Sequence, residues 1–134
     1  MKNRLLFALQ AVLLVGIAAL HAYALSVDLY WHYPLLNRAI HCAGGVWVAL
    51  ATVWLFAFQS RPIRILPILT SVLLVSIGWE IFEVAIGMTY EKNYAYDTTL
   101  DLCMDTIGGL FGFFAGRFMV QSRLHGETVQ DNSS

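Results

Sequence analysis

Apolar positions along this chain fall into four long blocks, each separated from the next by a short polar or aromatic interval. The blocks run from about Leu5 to Leu25, Arg38 to Phe58, Ile65 to Met88 and Thr99 to Val120. A bilayer-spanning helix needs ~20 mostly apolar residues, and each block supplies about that length. Lipid offers the backbone no hydrogen-bonding partner, so spans of this kind close their bonds internally as helices. The pattern predicts an all-α fold, an integral membrane bundle of four transmembrane helices. Residues 1–120 form the transmembrane domain, and residues 121–134 form a flexible, polar cytoplasmic tail. No internal repeat and no soluble domain interrupts the pattern.

The intervals set the orientation. Ser26 to Asn37 holds Tyr30, Trp31, His32, Tyr33 and Pro34, an aromatic group typical of the headgroup level. Gln59 to Arg64 is a tight basic turn with Pro62, and Gly87 to Asp97 is polar with Tyr90, Tyr94 and Tyr96. In a four-span topology Lys2, Arg4, Arg61, Arg64, Arg117 and Arg123 share one side, against Arg38 and Lys92 on the other. The positive-inside rule then places both the N- and C-termini in the cytoplasm. The 26–37 and 87–97 intervals face outward.

Composition agrees. Hydrophobic residues make up 58% of the chain and charged residues 13%, against about 25% charged in a soluble domain. The lipid bilayer is the expected partner. A net charge of -1 gives no basic field to draw nucleic acid. The two cysteines, Cys42 and Cys103, exclude a disulfide-dense scaffold. Both fall at similar depth, where a disulfide would need specific geometry; small buried packing groups are the plainer reading.

The acidic residues change the picture more. Six of the nine in the chain lie between Glu80 and Asp105: Glu80, Glu83, Glu91, Asp97, Asp101 and Asp105. A charge at the centre of a span costs roughly 2.5–3.5 kcal/mol on insertion scales, which makes such a group a functional-site candidate. At a rise of ~1.5 Å per residue, Glu80 sits roughly 12 Å below the outer rim, Asp105 roughly 9 Å, and His41 and His21 about 5–6 Å. All four helices thus offer a polar group to one layer. Asp97, Asp101 and Asp105 are four apart and share a face. Gly108, Gly109, Gly112 and Gly116 continue that face as a seam of small residues for close helix packing, and Gly44 and Gly45 read as packing positions too. Glu80 and Glu83 are neighbours on their own helix.

Plainer explanations exist for each residue. Thr98 with Asp101 fits a capping box opening the fourth helix. Asp97 and Glu91 fit solvated loop positions, and Glu83 can reach the interface. His21 fits a satisfied packing residue and His32 an interface residue. Glu80 and Asp105, the deepest, fit a buried polar network through His41 that ties helices together.

Three stretches carry a family resemblance. Asn37-Arg38-Ala39-Ile40-His41 resembles the basic-x-x-His opening of the second helix in VanZ-like membrane proteins. Trp79-Glu80-Ile81-Phe82-Glu83 resembles the Trp/Tyr-Glu-x-x-Glu signature of that class and of the related YjdF-type inner-membrane proteins. The run from Asp97 to Gly109 resembles their Asp-x-x-x-Asp-x-x-x-Asp/Asn-x-x-Gly element. The likeness covers residues 37 to 116, and the Glu80–Glu83 pair leans toward the YjdF-type group. It implies a multi-pass protein of the bacterial cytoplasmic (inner) membrane with an envelope-related role. It points to His41, Glu80, Glu83, Asp97, Asp101 and Asp105 as the functional positions.

Three functions compete. The first is an outward-facing carboxylate/His site for a cation or a lipid-linked envelope ligand. Its metal version, a divalent ion, would use His41, Glu80, Asp101 and Asp105. The second is a proton-coupled transporter, since intramembrane carboxylates commonly relay protons; Phe111, Phe113 and Phe114 near the seam would seal the inner half of a single copy, leaving a path only in a homo-oligomer. The third is an assembly or scaffold subunit with a purely structural cluster. No nucleophile–base set, phosphate loop or zinc motif assigns a reaction.

Met1-Lys2-Asn3-Arg4, the apolar run and Ala22-Tyr23-Ala24 together resemble a cleavable signal peptide. The apolar run is longer than a usual signal core, so the first block is expected to stay as a span. Intact-mass measurement of the purified protein should retain residues 1–24; a mass lacking them would leave three spans.

Overall fold

The computed structural model describes residues 4–87 and 93–131, with side chains described as far as residue 122. Among these residues every regular element is a helix: α1 Arg4–Ser26, α2 Leu29–His32, α3 Pro34–Phe58, α4 Ile65–Ala85 and α5 Tyr94–Asp131. Three helices, α1, α3 and α4, are long and apolar enough to cross a membrane. Three of the four expected blocks coincide with them to within a few residues. The fourth lies inside α5, which starts five residues earlier than expected and stays helical through residue 131. Glu91, Lys92 and Lys2 fall outside the described residues.

Local chemistry sets the boundaries. Pro34 opens α3 at a first-turn position, where its missing N–H is not needed. The end of α3 is a Schellman turn: Arg61 N–H donates to the Phe56 carbonyl at 2.8 Å and Ser60 N–H to Ala57 at 3.2 Å. Ser60 takes the left-handed conformation that this turn requires, with φ 55°. At the end of α4, Gly87 does the same with φ 74°. Asn93 caps α5 by accepting the Tyr96 N–H at 3.3 Å. Thr98 therefore lies a full turn inside α5, and the expected Thr98–Asp101 capping box is replaced by this earlier cap.

The core follows four-residue stripes. In α4, Ile68, Val72, Ser76 and Glu80 are buried, one per turn. In α3 the buried set includes His41, Gly45, Ala49 and Val53. In α5 it is Asp101, Asp105, Gly108, Gly112 and Gly116, with Gly109 and Phe113 beside it. Residues three and four apart share a helix face, so each stripe faces inward as one edge. Leu6, Val48, Ala49, Val53, Ile68, Val72 and Phe113 close an apolar core below the polar groups. Phe113 is buried while Phe111 and Phe114 are exposed, so of these three phenylalanines one joins the apolar core, with Met119 and Val120 of α5 packed against it.

The contact between α3 and α5 is the most extensive in the bundle, and it is made backbone to backbone. A Cβ at Gly45 would overlap the Asp105 carbonyl oxygen, and a Cβ at Gly108 would overlap the Cys42 carbonyl oxygen. One turn further, a Cβ at Gly112 would stand 2.6 Å from the Val46 carbonyl oxygen. Gly109 leaves this seam: a Cβ there would meet Val72 Cγ2 of α4 at 2.9 Å. Small residues let helices approach closely in lipid, where dispersion rather than water exclusion holds them.

Gly45→Ala and Gly108→Ala should each force α3 and α5 apart and destabilise the protein by about 1–3 kcal/mol, the usual range for overpacking. Gly16→Ala meets nothing within 4 Å and should be neutral or slightly stabilising. Thermal unfolding in detergent measures all three.

Candidate functional site

The glycine seam fixes what lies one turn from it. Because α3 and α5 touch at Gly45 and Gly108, His41 and Asp105 are brought together from 64 positions apart. Their Nδ1 to Oδ2 distance is 3.0 Å. With the proton on Nδ1, the imidazole donates to the Asp105 carboxylate, and this fixes the ring and leaves Nε2 unprotonated. Nε2 then faces two further carboxylates: Asp101 Oδ2 at 3.8 Å and Glu80 Oε1 at 3.9 Å. His41, Glu80, Asp101 and Asp105 are each 5% exposed or less.

Neighbouring side chains hold the carboxylates. Asn37, one turn before His41, donates its Nδ2 to Asp101 Oδ2 at 3.1 Å. Thr98, on α5, donates its hydroxyl to Glu80 Oε2 at 2.7 Å. The Tyr94 hydroxyl donates to the Glu80 backbone carbonyl at 3.3 Å. Two oxygens are left over. Glu80 Oε1 and Asp101 Oδ1 are buried and have no hydrogen-bond partner among the described residues. Such atoms are uncommon in folded proteins and call for an explanation.

One donor atom each from His41, Glu80 and Asp101 lies within 4.8 Å of the others. Donors about 2.0–2.2 Å from a tetrahedral ion stand roughly 3.4 Å apart, so a modest contraction would close this set on a cation. Imidazole with carboxylates suits a borderline divalent ion. A histidine whose other nitrogen is bonded to a carboxylate is the usual arrangement around a metal, with Asp105 here in the supporting role.

All four groups lie at one end of the bundle. His41 and Asp101 are about two helical turns from the start of α3 and α5, Asp105 is one turn deeper, and Glu80 is between one and two turns from the end of α4. The buried polar layer gathers His41, Glu80, Asp101 and Asp105 from three helices, and His21 of α1, expected at the same level, is not part of it. It does not gather Glu83 or Asp97 into the same donor set. Both are half-buried, and Glu83 Oε1 accepts the Trp79 indole N–H at 2.9 Å on its own helix. His21 of α1 reaches a different place: its Nδ1 shares a 2.6 Å hydrogen bond with the Tyr30 hydroxyl, and its ring meets the edge of Trp79 at 5.4 Å. His32 Nδ1 donates to the Asp28 carbonyl at 3.1 Å. Cys42 and Cys103 are free thiols, half-buried and exposed respectively.

Asn37 and Thr98 were missed as site residues by reading the sequence. Asn37 is four residues before His41, and Thr98 three before Asp101. Helical spacing from the suspected residues was the signal available for both.

A cavity of about 290 Å³ adjoins the cluster, bordered by α1, α3, α4 and Asp105 of α5. Its walls are mainly apolar, with His41, Asp105, Ser76 and His21 as the polar groups.

Comparison with known proteins yields one family. No significant match exists among curated proteins or among solved structures. A family described as "Predicted membrane protein (DUF2238)" matches residues 3–122. That span takes in all three membrane-length helices and every residue of the buried cluster, and the chain belongs to the DUF2238 family of membrane proteins.

Proposed function

We propose that this protein holds a divalent cation inside the membrane, with His41, Glu80 and Asp101 as ligands and Asp105 as the group that orients His41. The reading is carried by one donor atom each from His41, Glu80 and Asp101 lying within 4.8 Å of one another, with Glu80 Oε1 buried, 3.9 Å from His41 Nε2 and without a hydrogen-bond partner among the described residues. Three carboxyl groups around one imidazole leave an excess of buried negative charge. An uncompensated buried ion costs several kcal/mol, and a divalent cation would offset it. Three protein ligands also leave a coordination position for a further ligand, as in open metal sites.

The finer placement belongs to the same proposal. The N-terminal part of α5, with Asp101 and Asp105, forms a fourth span, and its inward stripe makes that tolerable. The basic residues favour cytoplasmic termini, so the cluster opens toward the outer face of a bacterial inner membrane. The resemblance of residues 37–116 to VanZ-like proteins supports an envelope-related role. The apolar core beneath the site, with Val53, Ile68, Val72 and Phe113, argues against a proton path through a single copy.

Protein purified without chelator and equilibrated with zinc or manganese should carry about one ion per chain by elemental analysis. His41→Ala, Glu80→Gln and Asp101→Asn should each abolish binding. Asp105→Asn should weaken it about 10–100-fold, the usual effect of losing a supporting carboxylate. Glu83→Gln and Asp97→Asn should bind normally. Equal binding by the wild type and the three ligand variants would reject the site.

A further inference from the structure

The cavity beside the cluster is explained by neither helix packing nor the cation site. The helices α1 and α4 both pack on α3 but barely touch each other, which leaves a slot between two membrane-length helices. Leu14 of α1 and Val75 of α4 border it and are 41% and 50% exposed. The slot therefore opens sideways, toward hydrocarbon. Near the end of the bundle that carries the cluster, the His21–Trp79 contact bridges the two helices and the Tyr30 hydroxyl is bonded to His21.

Gly44 shapes the inner wall. Its neighbour Gly45 is required by the α5 backbone, but a Cβ at Gly44 would sit an ordinary 3.7 Å from Asp105 Oδ1. Close helix contact does not demand a glycine there. Its bare backbone instead leaves the Asp105 carboxylate uncovered at the cavity wall. Asp105 Oδ2 is engaged by His41, while Oδ1 accepts no hydrogen bond among the described residues.

We propose that this slot binds one hydrocarbon chain of a hydroxyl-headed lipid, entering from the bilayer between α1 and α4, with its hydroxyl donating to Asp105 Oδ1. The volume suits a chain: an apolar cavity of ~150 Å³ accepts benzene, and this one is about 290 Å³. A helix of a second copy, ~10 Å across, does not fit inside it. The head group follows from the acceptor. A buried carboxylate oxygen makes a strong hydrogen bond to a hydroxyl and repels an anionic head. The proposal goes beyond the cation reading and does not need the ion to be present.

The test uses the full chain in phosphatidylcholine vesicles with a diazirine-bearing hexadecanol, and the matching fatty acid as comparison. After photolysis, mass spectrometry maps the labelled peptides. The alcohol should label the α1 segment around Leu14 and Ala18 and the α4 segment around Val75 well above the lipid-facing positions Leu66 and Leu74. The acid should not show this preference. Gly44→Leu, which fills the slot, should lose the preferential labelling, and Gly44→Ala should reduce it. Metal content of these variants, measured in parallel, reports whether the cluster is still folded. Uniform labelling of all lipid-facing helices, equal labelling by acid and alcohol, or wild-type labelling in a Gly44→Leu protein of normal metal content would overturn the proposal. Preferential alcohol labelling in a wild type that binds no metal would uphold the slot and reject the cation reading alone.

Discussion

The backbone contact between α3 and α5 decides most of what this protein can do. Gly45 and Gly108 each accept the other helix's main chain where any side chain would collide. In a soluble protein such a contact would be one of several supports. In lipid, where apolar surface gains little by leaving its surroundings, close packing of small residues is the main source of helix association. The same contact fixes the rotation and axial register of α5 against α3. His41 stands one turn from Gly45, and Asp105 lies at the Gly45 contact and one turn from Gly108, so the seam also sets their 3.0 Å hydrogen bond. Packing and chemistry are consecutive turns of the same two stripes.

From that bond the rest of the cluster follows in order. Asp105 fixes the ring of His41, and the ring presents Nε2 to Glu80 and Asp101. Glu80 arrives because α4 buries one residue per turn from Ile68 onward, and its last buried position falls at the level of His41. Asn37 and Thr98 then each satisfy one oxygen of a carboxylate. The other oxygen of each has no hydrogen-bond partner among the described residues.

Much of this was legible in the sequence because membrane helices impose two strong periodicities. Block length located α1, α3 and α4, since ~20 apolar residues have few other uses. Spacing by fours put Asp101 and Asp105 on the same face as Gly108, Gly112 and Gly116, and the helical rise put His41 and Glu80 at their depth. What spacing could not resolve was rotation about the helix axis to better than one residue. Gly109 was therefore read on one inward seam with Gly108, Gly112 and Gly116; it is buried, but it packs on Val72 of α4 rather than on α3, and Phe111 and Phe114 were assigned to the seal although they are exposed. Glu83 and Asp97 were grouped with the cluster through the family resemblance, which matches motif positions and not the atoms that meet. The start of α5 was misjudged because Thr98 and Asp101 match a capping pattern, while the true cap, Asn93, sits among polar residues that carry no apolar signal. The slot beside Gly44 was not legible at all: it depends on α1 and α4 standing apart, which no local pattern encodes.

A purely structural role for the cluster fits this geometry poorly. Polar groups can tie helices together in lipid, but each such bond contributes only about 0.6 kcal/mol on average in membrane proteins. Each buried oxygen left without a partner costs about 1–3 kcal/mol, more if charged. Here two carboxylate oxygens are left that way, in helices already joined by a glycine seam along several turns. Replacing Glu80 and Asp101 by apolar residues of similar size would hold the bundle at least as well. On the cation proposal, the stability lost at these polar positions is what the bound ion would offset. A scaffold has no need to set Glu80 Oε1, buried and without a hydrogen-bond partner among the described residues, opposite the His41 Nε2, whereas the proposed cation site would complete the bonding of both.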